Sequence, residues 1–485
     1  METAIPDLTS VVNGIVAFVR GSAQEMEIGE VERRLLSMVM EVGRAALAEF
    51  VATKGPGYAG KETVDTQGHR CPYVRERSCA YRSIFGTIPI RRTYYQAAGL
   101  PGIFPLDGEL NLPDRGYSYV VQEFSSRLAV KMSYQDAQEI LSSFFPVKVP
   151  IRSLESILAD VCDEVDQFYE DRPAPQGCPA AVVTVATVDK KGIVIRKPNA
   201  GQSRPQSAPG NPDKPGKKKM ATVISTYMTE RHIRTLDDIV REVSDEKSCD
   251  SRPKSRDKMT WGSLTHASEK TVARLKKAVD QRLPEGNELV CILDGERFLW
   301  GLVYAYFPTA FFVLDIFHVL EHLGTAALLF HDEDSPQARQ FVTERLRMLL
   351  QGKAGRMIGG LKQMLTKCEL SNTARHSLSQ VIGYLERNRK HMRYEICLEK
   401  GYPIGSGVVE GACRHLINDR LELTGMSWTL RGAESVMRLR AVHINKDWES
   451  FWKQRRQSER RRLYAIEESS SQQIRDHELP LPRAA

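Results

Sequence analysis

Leu289-Val290-Cys291-Ile292-Leu293-Asp294-Gly295 is a short apolar run that ends in an aspartate and a glycine. A run of this length, bounded by a turn signal, predicts a buried β-strand. The stretch Val182-Val183-Thr184-Val185-Ala186-Thr187-Val188-Asp189 has the same form. The two stretches therefore predict two strands, each with a carboxylate where the strand ends.

A third acidic residue follows a glycine-rich turn downstream. In Gly401-Tyr402-Pro403-Ile404-Gly405-Ser406-Gly407-Val408-Val409-Glu410-Gly411-Ala412-Cys413-Arg414-His415, the glycines predict a turn, and Glu410 lies where a helix is expected to begin. Mg²⁺ prefers carboxylate oxygens, and two such ions about 3.5–4 Å apart serve phosphoryl transfer. An aspartate that ends a strand before a glycine is commonly just a turn residue, so the conjunction of all three acids carries the prediction. We expect Asp189, Asp294 and Glu410 to be the catalytic metal ligands of a nuclease or transposase.

The elements around these acids predict an α/β fold with an RNase H-like catalytic core. Asp189-Lys190-Lys191-Gly192 predicts the turn of a two-strand hairpin. The predicted strands cover 181–188, 192–197, 221–228, 289–294 and 310–315, and the predicted helices cover 265–282 and 296–307. Residues 319–398 read as helical throughout, which predicts an all-helical insertion before the helix of Glu410.

The first part of the chain predicts a mainly helical DNA-binding region. Apolar residues at helical spacing indicate an amphipathic helix over 28–52, and 80–96 reads as a β-hairpin. Ser133 with Asp136 predicts a helix cap, and a second helix is expected from Pro150. This pair is either a helix-turn-helix, with Arg152 and Ser153 at the start of the reading helix, or an ordinary helical pair.

Together these patterns divide the chain into six segments. The predicted segments are an N-terminal helical and hairpin region (1–115), a helix-turn-helix-like region (116–172), the first part of the catalytic core (173–320), the helical insertion (321–399), the final catalytic helix (400–450) and a basic tail (451–485).

Composition places the chain among globular proteins of a reducing compartment. It has 485 residues, of which 41% are hydrophobic and 27% charged. No apolar run reaches the roughly 18 residues of a membrane span, and the polar start lacks a signal peptide. Nine cysteines without regular spacing indicate reduced thiols. We therefore expect a cytoplasmic protein without a membrane partner.

The formal charge of +7 is concentrated in two basic clusters. One is the Pro/Gly/Ser-rich segment 198–219, and the other is the C-terminal region. Such clusters are either phosphate-binding surfaces or solvated faces. The cations concerned are Lys214, Lys217, Lys218, Lys219, Lys453, Arg455, Arg456, Arg460, Arg461 and Arg462.

A rival motif begins at His318. His318-Val319-Leu320-Glu321-His322 matches the H-x-x-E-H pattern of zinc proteases, in which two histidines share one helix face. The same histidine also closes Asp315-Ile316-Phe317-His318 at a predicted strand-to-helix junction. We expect Asp315 to have a supporting structural role outside the metal triad.

With these residues assembled, the chain resembles the bacterial insertion-sequence transposases of the DDE type, in the Kra-type (ISKra) group related to mutator-like transposases. The resemblance covers most of the chain and is strongest across 181–330 and 395–450. Its most specific strings are Leu293-Asp294-Gly295-Glu296, Leu314-Asp315-Ile316-Phe317-His318-Val319, the glycine turn with Glu410, and Gly425-Met426-Ser427-Trp428-Thr429. The resemblance implies Asp189, Asp294 and Glu410 as the metal-binding triad, with Asp315 and His318 as an auxiliary motif.

The resemblance also implies a reaction and its partners. Such an enzyme uses Mg²⁺, with Mn²⁺ as a substitute, to cut double-stranded DNA at the element ends and to join the freed 3′-hydroxyl to target DNA. Bringing two ends together implies a homodimer or larger homo-oligomer, associated with the bacterial nucleoid. Arg414 and His415 are expected either to contact the scissile strand or to serve packing, and Trp428 either to stack on an unpaired base or to lie in the core.

One position departs from the family pattern. The first aspartate is usually followed by Gly-Lys-Gly, whereas this chain has Lys190-Lys191-Gly192. A lysine is strained if the position after Asp189 needs a positive φ, although its charge is also suited to phosphates. The alternative to an active transposase is therefore a catalytically decayed or domesticated DNA-binding protein.

Overall fold

The computed structural model describes residues 7–173, 182–196, 218–243, 253–283, 287–423 and 425–465, without the side chains of 408–410. The described residues form two compact units. The first unit contains the residues up to Ile157 together with those from Glu449 onward, and the second is Leu158–Trp448.

The first unit is built from helices around a small antiparallel sheet. One cluster of its core consists of Ile88, Ile90, Leu106 and Leu112, which pack against partly buried side chains that include Leu47. The helix Ile28–Lys54 confirms the helix predicted over 28–52, and the paired strands Arg70–Ser83 and Gly86–Tyr95 confirm the hairpin predicted over 80–96. The elements are α1 (Leu8–Arg20), α2 (Ile28–Lys54), β1 (Glu62–Val64), β2 (Arg70–Ser83), β3 (Gly86–Tyr95), α3 (Pro105–Leu110), α4 (Tyr119–Ala129) and α5 (Tyr134–Phe144).

The helix pair with the predicted reading helix is present. The hydroxyl of Ser133 accepts a hydrogen bond from the amide of Asp136 at 3.0 Å, so the predicted cap of α5 is confirmed. The next helix, α6, spans Ile151–Asp163 and begins one residue after Pro150. Arg152 in its first turn is exposed and Ser153 is half-buried. Residues 145–150 connect the two helices, a longer joint than the three or four residues of a helix-turn-helix.

The second unit contains a five-stranded mixed sheet. Two antiparallel pairings and two parallel pairings give the strand order β6-β5-β4-β7-β8. The strands are β4 (Val182–Val194), β5 (Lys218–Glu230), β6 (Arg256–Ser263), β7 (Glu288–Leu293) and β8 (Phe311–Leu314).

The predicted hairpin around Asp189 is wrong. Strand β4 runs unbroken from Val182 to Val194, and its register with β5 continues through Lys190↔Thr222 and Gly192↔Met220. Pairing with a neighbouring strand outweighs the local turn signal, because each paired residue keeps its main-chain hydrogen bonds in the ladder. The third strand of the sheet is instead β6, which sequence analysis missed because its first half is charged.

Helices surround this sheet and fill the predicted insertion. Residues 287–423 are all described, and no strand lies between β8 and Lys400, so the helical insertion is confirmed. The helices are α7 (Val165–Asp171), α8 (Leu236–Val243), α9 (Ser268–Asp280), α10 (Arg297–Tyr306), α11 (Ile316–Ala327), α12 (Pro336–Leu350), α13 (Ala354–Lys367), α14 (Asn372–Asn388), α15 (Tyr394–Lys400), α16 (Gly407–Cys413), α17 (Asp419–Leu421) and α18 (Leu430–Ile444). A last helix, α19, spans Trp448–Tyr464.

Candidate active site at the carboxyl edge of the sheet

Three neighbouring parallel strands bring three aspartates to one edge of the sheet. The register pairs Thr187 with Ile292, so Asp189 and Asp294 each lie two residues beyond paired positions. Asp315 follows the last paired residue of β8 directly, and its amide donates to the carbonyl of Leu293 at 2.8 Å. Adjacent strands are about 4.8 Å apart, so the three aspartates form a row.

Asp189 lies within a strand and not at its end. Its main chain pairs with Val223 of β5, whereas β7 stops at Leu293 on the other side. Because β7 has ended at this level, no described strand covers the carboxylate of Asp189 on that side. One carboxylate oxygen accepts a hydrogen bond from the thiol of Cys413 at 3.2 Å, and the other accepts from the amide of Lys190 at 2.6 Å.

Asp294 occupies the turn that leaves β7. One of its carboxylate oxygens accepts a hydrogen bond from the amide of Glu296 at 3.0 Å, and Gly295 takes a φ of 98°, which favours glycine. Burial raises the pKa of Asp294, and the nearby charge of Asp189 raises it further. Two carboxylates that disfavour each other's charge form a place where a cation is stabilised.

The helix of Glu410 lies against this row. Helix α16 spans Gly407–Cys413, and Cys413 contacts the carboxylate of Asp189. Positions 410 and 413 are three residues apart, so they share a helix face. The position of Glu410 is therefore on the face of α16 that meets Asp189. Its side chain lies outside the described part of the structure.

The helix continues into an irregular segment. Residues Arg414–Asn418 form a π-helix before α17. Arg414 and His415 are exposed there, and both pair with Asp419, at 3.6 and 2.8 Å. Single π-helical turns are rare and occur frequently at functional sites.

Asp315 has a different environment from the other two aspartates. It is fully buried, and its carboxylate accepts hydrogen bonds from the amides of Phe317 (3.0 Å) and Ser406 (3.2 Å), from the hydroxyl of Ser406 and from the ring of His318 (3.1 Å). Asp315 therefore joins the start of α11 to the glycine turn before α16. Because both carboxylate oxygens of Asp315 accept these hydrogen bonds, Asp315 fixes the glycine turn that leads to Glu410.

His318 and His322 have separate partners. The hydrogen bond to Asp315 is the largest cause of a rise in the pKa of His318 to about 9. The ring of His322 packs on Tyr384, with centroids 3.8 Å apart, and burial lowers its pKa. Among the residues whose side chains are described, no group of three or more His, Cys, Asp or Glu could hold a metal ion. The zinc-protease pattern therefore has no third ligand among those side chains.

Lys190 is not strained. It lies in the extended part of β4, and its φ is not positive. Its ammonium pairs with the carboxylate of Glu296 at 3.4 Å and lies 4.7 Å from the centre of the Phe298 ring. The backbone at this position therefore accommodates a lysine without strain.

The predicted DNA contacts of the second unit are dispersed. Trp428 is buried, and its indole nitrogen donates to the carbonyl of Leu421 at 3.0 Å, so the core interpretation is confirmed and a stacking platform is excluded in this conformation. Lys218 and Lys219 are exposed at the start of β5. Lys217 lies outside the described residues.

The predicted basic tail is, over its described length, a helix of the first unit. The guanidinium of Arg455 is buried and therefore is not available to a phosphate, which corrects its assignment as a DNA contact. Arg462 pairs with Glu459 at 2.8 Å, and Arg456 lies 3.8 Å from Glu123. Arg461 is exposed and Arg460 is half-buried. An amphipathic helix with paired cations explains this cluster better than a free tail.

Sequence analysis missed three residues that shape the site. Cys413 contacts Asp189, Ser406 contacts Asp315, and Tyr384 donates from its hydroxyl to the main-chain carbonyl of Asp294. Ser406 and Cys413 belong to the quoted glycine-turn string and Tyr384 to no quoted string, but no spacing predicts that any of them contacts an acid. Only the fold brings them to the acids.

Comparisons with known proteins add no identification. No protein-family model matches the chain, and no curated protein matches it either. Within the described residues, no helix is both long and apolar enough to cross a membrane.

Proposed function

We propose that this chain is a DDE transposase that cleaves and joins double-stranded DNA at the ends of a bacterial insertion sequence. The observation that carries the proposal is the placement of its acids. Asp189 and Asp294 occupy neighbouring parallel strands in register, and the helix of Glu410 contacts Asp189 through Cys413. Acids far apart in the sequence thus meet at one sheet edge.

The sheet supports an RNase H-like core for this unit. Its first three strands are antiparallel neighbours, and the fourth and fifth add in parallel on the other side of the first. The predicted helical insertion follows the fifth strand and precedes α16. The order supports that proposal apart from two differences: β6 replaces the wrongly predicted second strand, and α8 lies between β5 and β6.

The donor set fits Mg²⁺. Asp189 and Asp294 supply carboxylate oxygens, the ligands that this ion prefers. Burial raises the pKa of Asp294 and the nearby charge of Asp189 raises it further, so a cation at these carboxylates would be stabilised. Asp189, Asp294 and Glu410 would hold Mg²⁺, with Mn²⁺ as a substitute. When bound, the ion supplies activation of a water or a 3′-hydroxyl and stabilises the leaving oxygen.

The other residues position these ligands. Asp315 fixes the glycine turn before α16 through Ser406, and Tyr384 holds the turn of Asp294 through its carbonyl. Exposed Arg414 and His415 follow one turn after Glu410, and their exposed pairs with Asp419 are weak enough for DNA phosphates to replace. No side chain needs to form a covalent bond with DNA, because water and the 3′-hydroxyl are the nucleophiles. Joining of two ends requires a homo-oligomer, and we propose a bacterial cytoplasmic setting.

The alternative of a decayed DNA-binding protein rested on Lys190. Its extended backbone and its ion pair with Glu296 give that alternative no support. A catalytic role for the acids therefore explains the site better than a purely structural one.

Binding of Mn²⁺ tests this proposal without any DNA. Titration of the whole protein, followed by electron paramagnetic resonance of free Mn²⁺, should show binding that is lost in Asp189→Asn and in Asp294→Asn. Asp332→Asn is the matched control, since Asp332 is exposed in the same unit. Equal Mn²⁺ binding by all four proteins would contradict the metal site.

A further inference from the structure

Strands β2 and β3 of the first unit carry an unusual concentration of arginine. The two strands contain one acidic residue, Glu76, and no lysine. Five of their six arginines are exposed, and the sixth, Arg92, pairs with Asp107. The exposed arginines are Arg70, Arg75, Arg77, Arg82 and Arg91. We call the paired strands β2 and β3 the arginine ribbon.

The register divides the arginine ribbon into an inner face and an outer face. Ile88 and Ile90 point into the core of the unit and hold the inner face in place. The outer face contains the pairs Arg82↔Thr87, Ala80↔Pro89 and Ser78↔Arg91, and all six residues are exposed. The packed inner face therefore leaves the outer face exposed to solvent.

The spacing of the two arginines on the outer face is close to the width of a DNA groove. Ser78, the partner of Arg91, lies four residues from Arg82 along β2, which is roughly 13 Å at about 3.3 Å per residue. The B-DNA major groove is about 12 Å wide and admits a two-stranded ribbon. The small side chains between the arginines allow a close approach, and guanidinium groups are suited to phosphates.

The charge of the ribbon is only partly neutralised within the protein. Arg91 pairs with Glu76 at 2.5 Å, yet the Arg91 side chain is 77% exposed. Arg70 lies 3.5 Å from Glu62 with 80% of its side chain exposed. Exposed ion pairs contribute only about 0–1 kcal/mol, so phosphates can replace these carboxylates.

We propose that the outer face of the arginine ribbon binds duplex DNA, with Arg82 and Arg91 on the phosphates that flank the major groove. The choice of DNA rests on the proposed function. It gives the protein a binding surface in the first unit, separate from the carboxylate row in the second. Duplex RNA is a poorer fit, because its A-form major groove is deep and too narrow for side chains to read.

The test is equilibrium binding of fluorescent duplex DNA to the whole protein without divalent metal, measured by anisotropy over a range of salt concentrations. The variant is Arg82→Ser with Arg91→Ser. The matched control is Arg33→Ser with Arg34→Ser, which removes the same charge from exposed positions of α2 in the same unit. Thermal melting shows whether each variant is folded.

We expect the ribbon variant to bind duplex DNA at least roughly tenfold more weakly than wild type. The slope of the logarithm of the binding constant against the logarithm of the salt concentration should become smaller in magnitude by about two, since each lost phosphate contact removes about 0.9. The control should change little, and wild-type protein should prefer duplex DNA to duplex RNA. An equal loss in both variants, or no loss in the ribbon variant, would overturn the ribbon while leaving the transposase proposal intact. Preference for duplex RNA would overturn the choice of DNA.

The two proposals fail in different assays. Asp294→Asn should keep ribbon-dependent binding and lose strand cleavage, because it changes a proposed metal ligand in the other unit. If wild-type protein does not bind duplex DNA without divalent metal, the ribbon proposal is wrong, whereas the transposase proposal is decided by the cleavage assay with Mg²⁺.

Discussion

The hydroxyl of Tyr384 donates a hydrogen bond to the main-chain carbonyl of Asp294 at 2.6 Å. Tyr384 belongs to α14, inside the helical insertion, and Asp294 ends a central strand of the sheet. A side chain at Gly295 would come within 2.8 Å of the Tyr384 ring, so the turn and the helix fit closely. The helical insertion therefore supports the turn that carries Asp294, one of the candidate metal ligands.

Tyr384→Phe should lower the rate of Mg²⁺-dependent nicking while DNA binding stays unchanged. The change removes one hydrogen bond, which contributes about 1 kcal/mol to stability, and frees the turn that positions Asp294. Nicking rates and DNA affinity measure the two effects separately. Tyr402→Phe is the matched control, since the hydroxyl of this buried tyrosine bonds to the partly exposed carboxylate of Glu288 and not to the turn of Asp294. Equal rates in all three proteins would show that the insertion does not support the turn.

Asp315→Asn should destabilise the second unit strongly. The buried carboxylate accepts from four donors, and an amide group would turn one acceptor into a donor that faces other donors. We expect a loss of about 2–3 kcal/mol in the free energy of unfolding in urea, because a buried network is broken. Asp332→Asn, at an exposed position, should change little. A stable Asp315→Asn protein would contradict the supporting role of this residue.

His391 should make stability depend on pH. It is buried, its ring stacks on Trp300 at 3.9 Å and contacts the hydroxyl of Tyr304, and burial lowers its pKa to about 4. The unfolded chain, with a histidine pKa near 6.5, binds the proton more readily. The contribution of His391 to the free energy of unfolding is therefore fully present above about pH 6.5 and is lost as the pH falls toward 4.

The measurement is urea unfolding at pH 7 and pH 5. The free energy of unfolding of the wild-type protein should fall by about 2 kcal/mol from pH 7 to pH 5 because of His391. His391→Gln should lose less, because glutamine does not titrate. His376→Gln removes an exposed histidine and should keep the wild-type dependence. The same pH dependence in His391→Gln as in wild type would show that this histidine is not responsible.

Lys190→Gly should not raise activity, although the transposases that the sequence resembles usually have glycine there. Lys190 has an ordinary extended backbone, so glycine relieves no strain, and it removes the ion pair with Glu296. Glycine within a strand costs roughly 0.5–1 kcal/mol relative to alanine. Nicking by Lys190→Gly and Lys190→Ala, measured beside wild type, checks this. A faster glycine variant with an unimproved alanine variant would show that the position needs glycine after all.

The sequence predicted the parts of the fold that repeat a simple pattern. The apolar runs before Asp294 and Asp315 became parallel strands, and the polar-apolar periodicity of 319–398 became helices. The turn signal at Asp189-Lys190-Lys191-Gly192 failed because pairing with β5 decided the backbone there. Strand β6 was missed because it pairs only with β5, at the sheet edge, and begins with charged residues.

The acids of the site were predictable by type, but their supports were not. Asp189 and Asp294 follow apolar strands, a signal that sequence carries. Cys413, Ser406 and Tyr384 act through contacts between distant segments, which no spacing encodes. Charge alone misplaced the role of the arginine at position 455, because the long stem of an arginine can pack against apolar side chains and the residue is buried here.

Site-specific nicking measures the central claim most directly. Purified protein is incubated with Mg²⁺ and duplex DNA carrying the ends that flank its gene, beside Glu410→Gln and the Asp332→Asn control. We predict that wild type and the control nick at the element boundary, whereas Glu410→Gln binds the same DNA and leaves it intact. Nicking by Glu410→Gln at the wild-type rate, or binding by wild type without any cleavage in Mg²⁺ or Mn²⁺, would contradict the account.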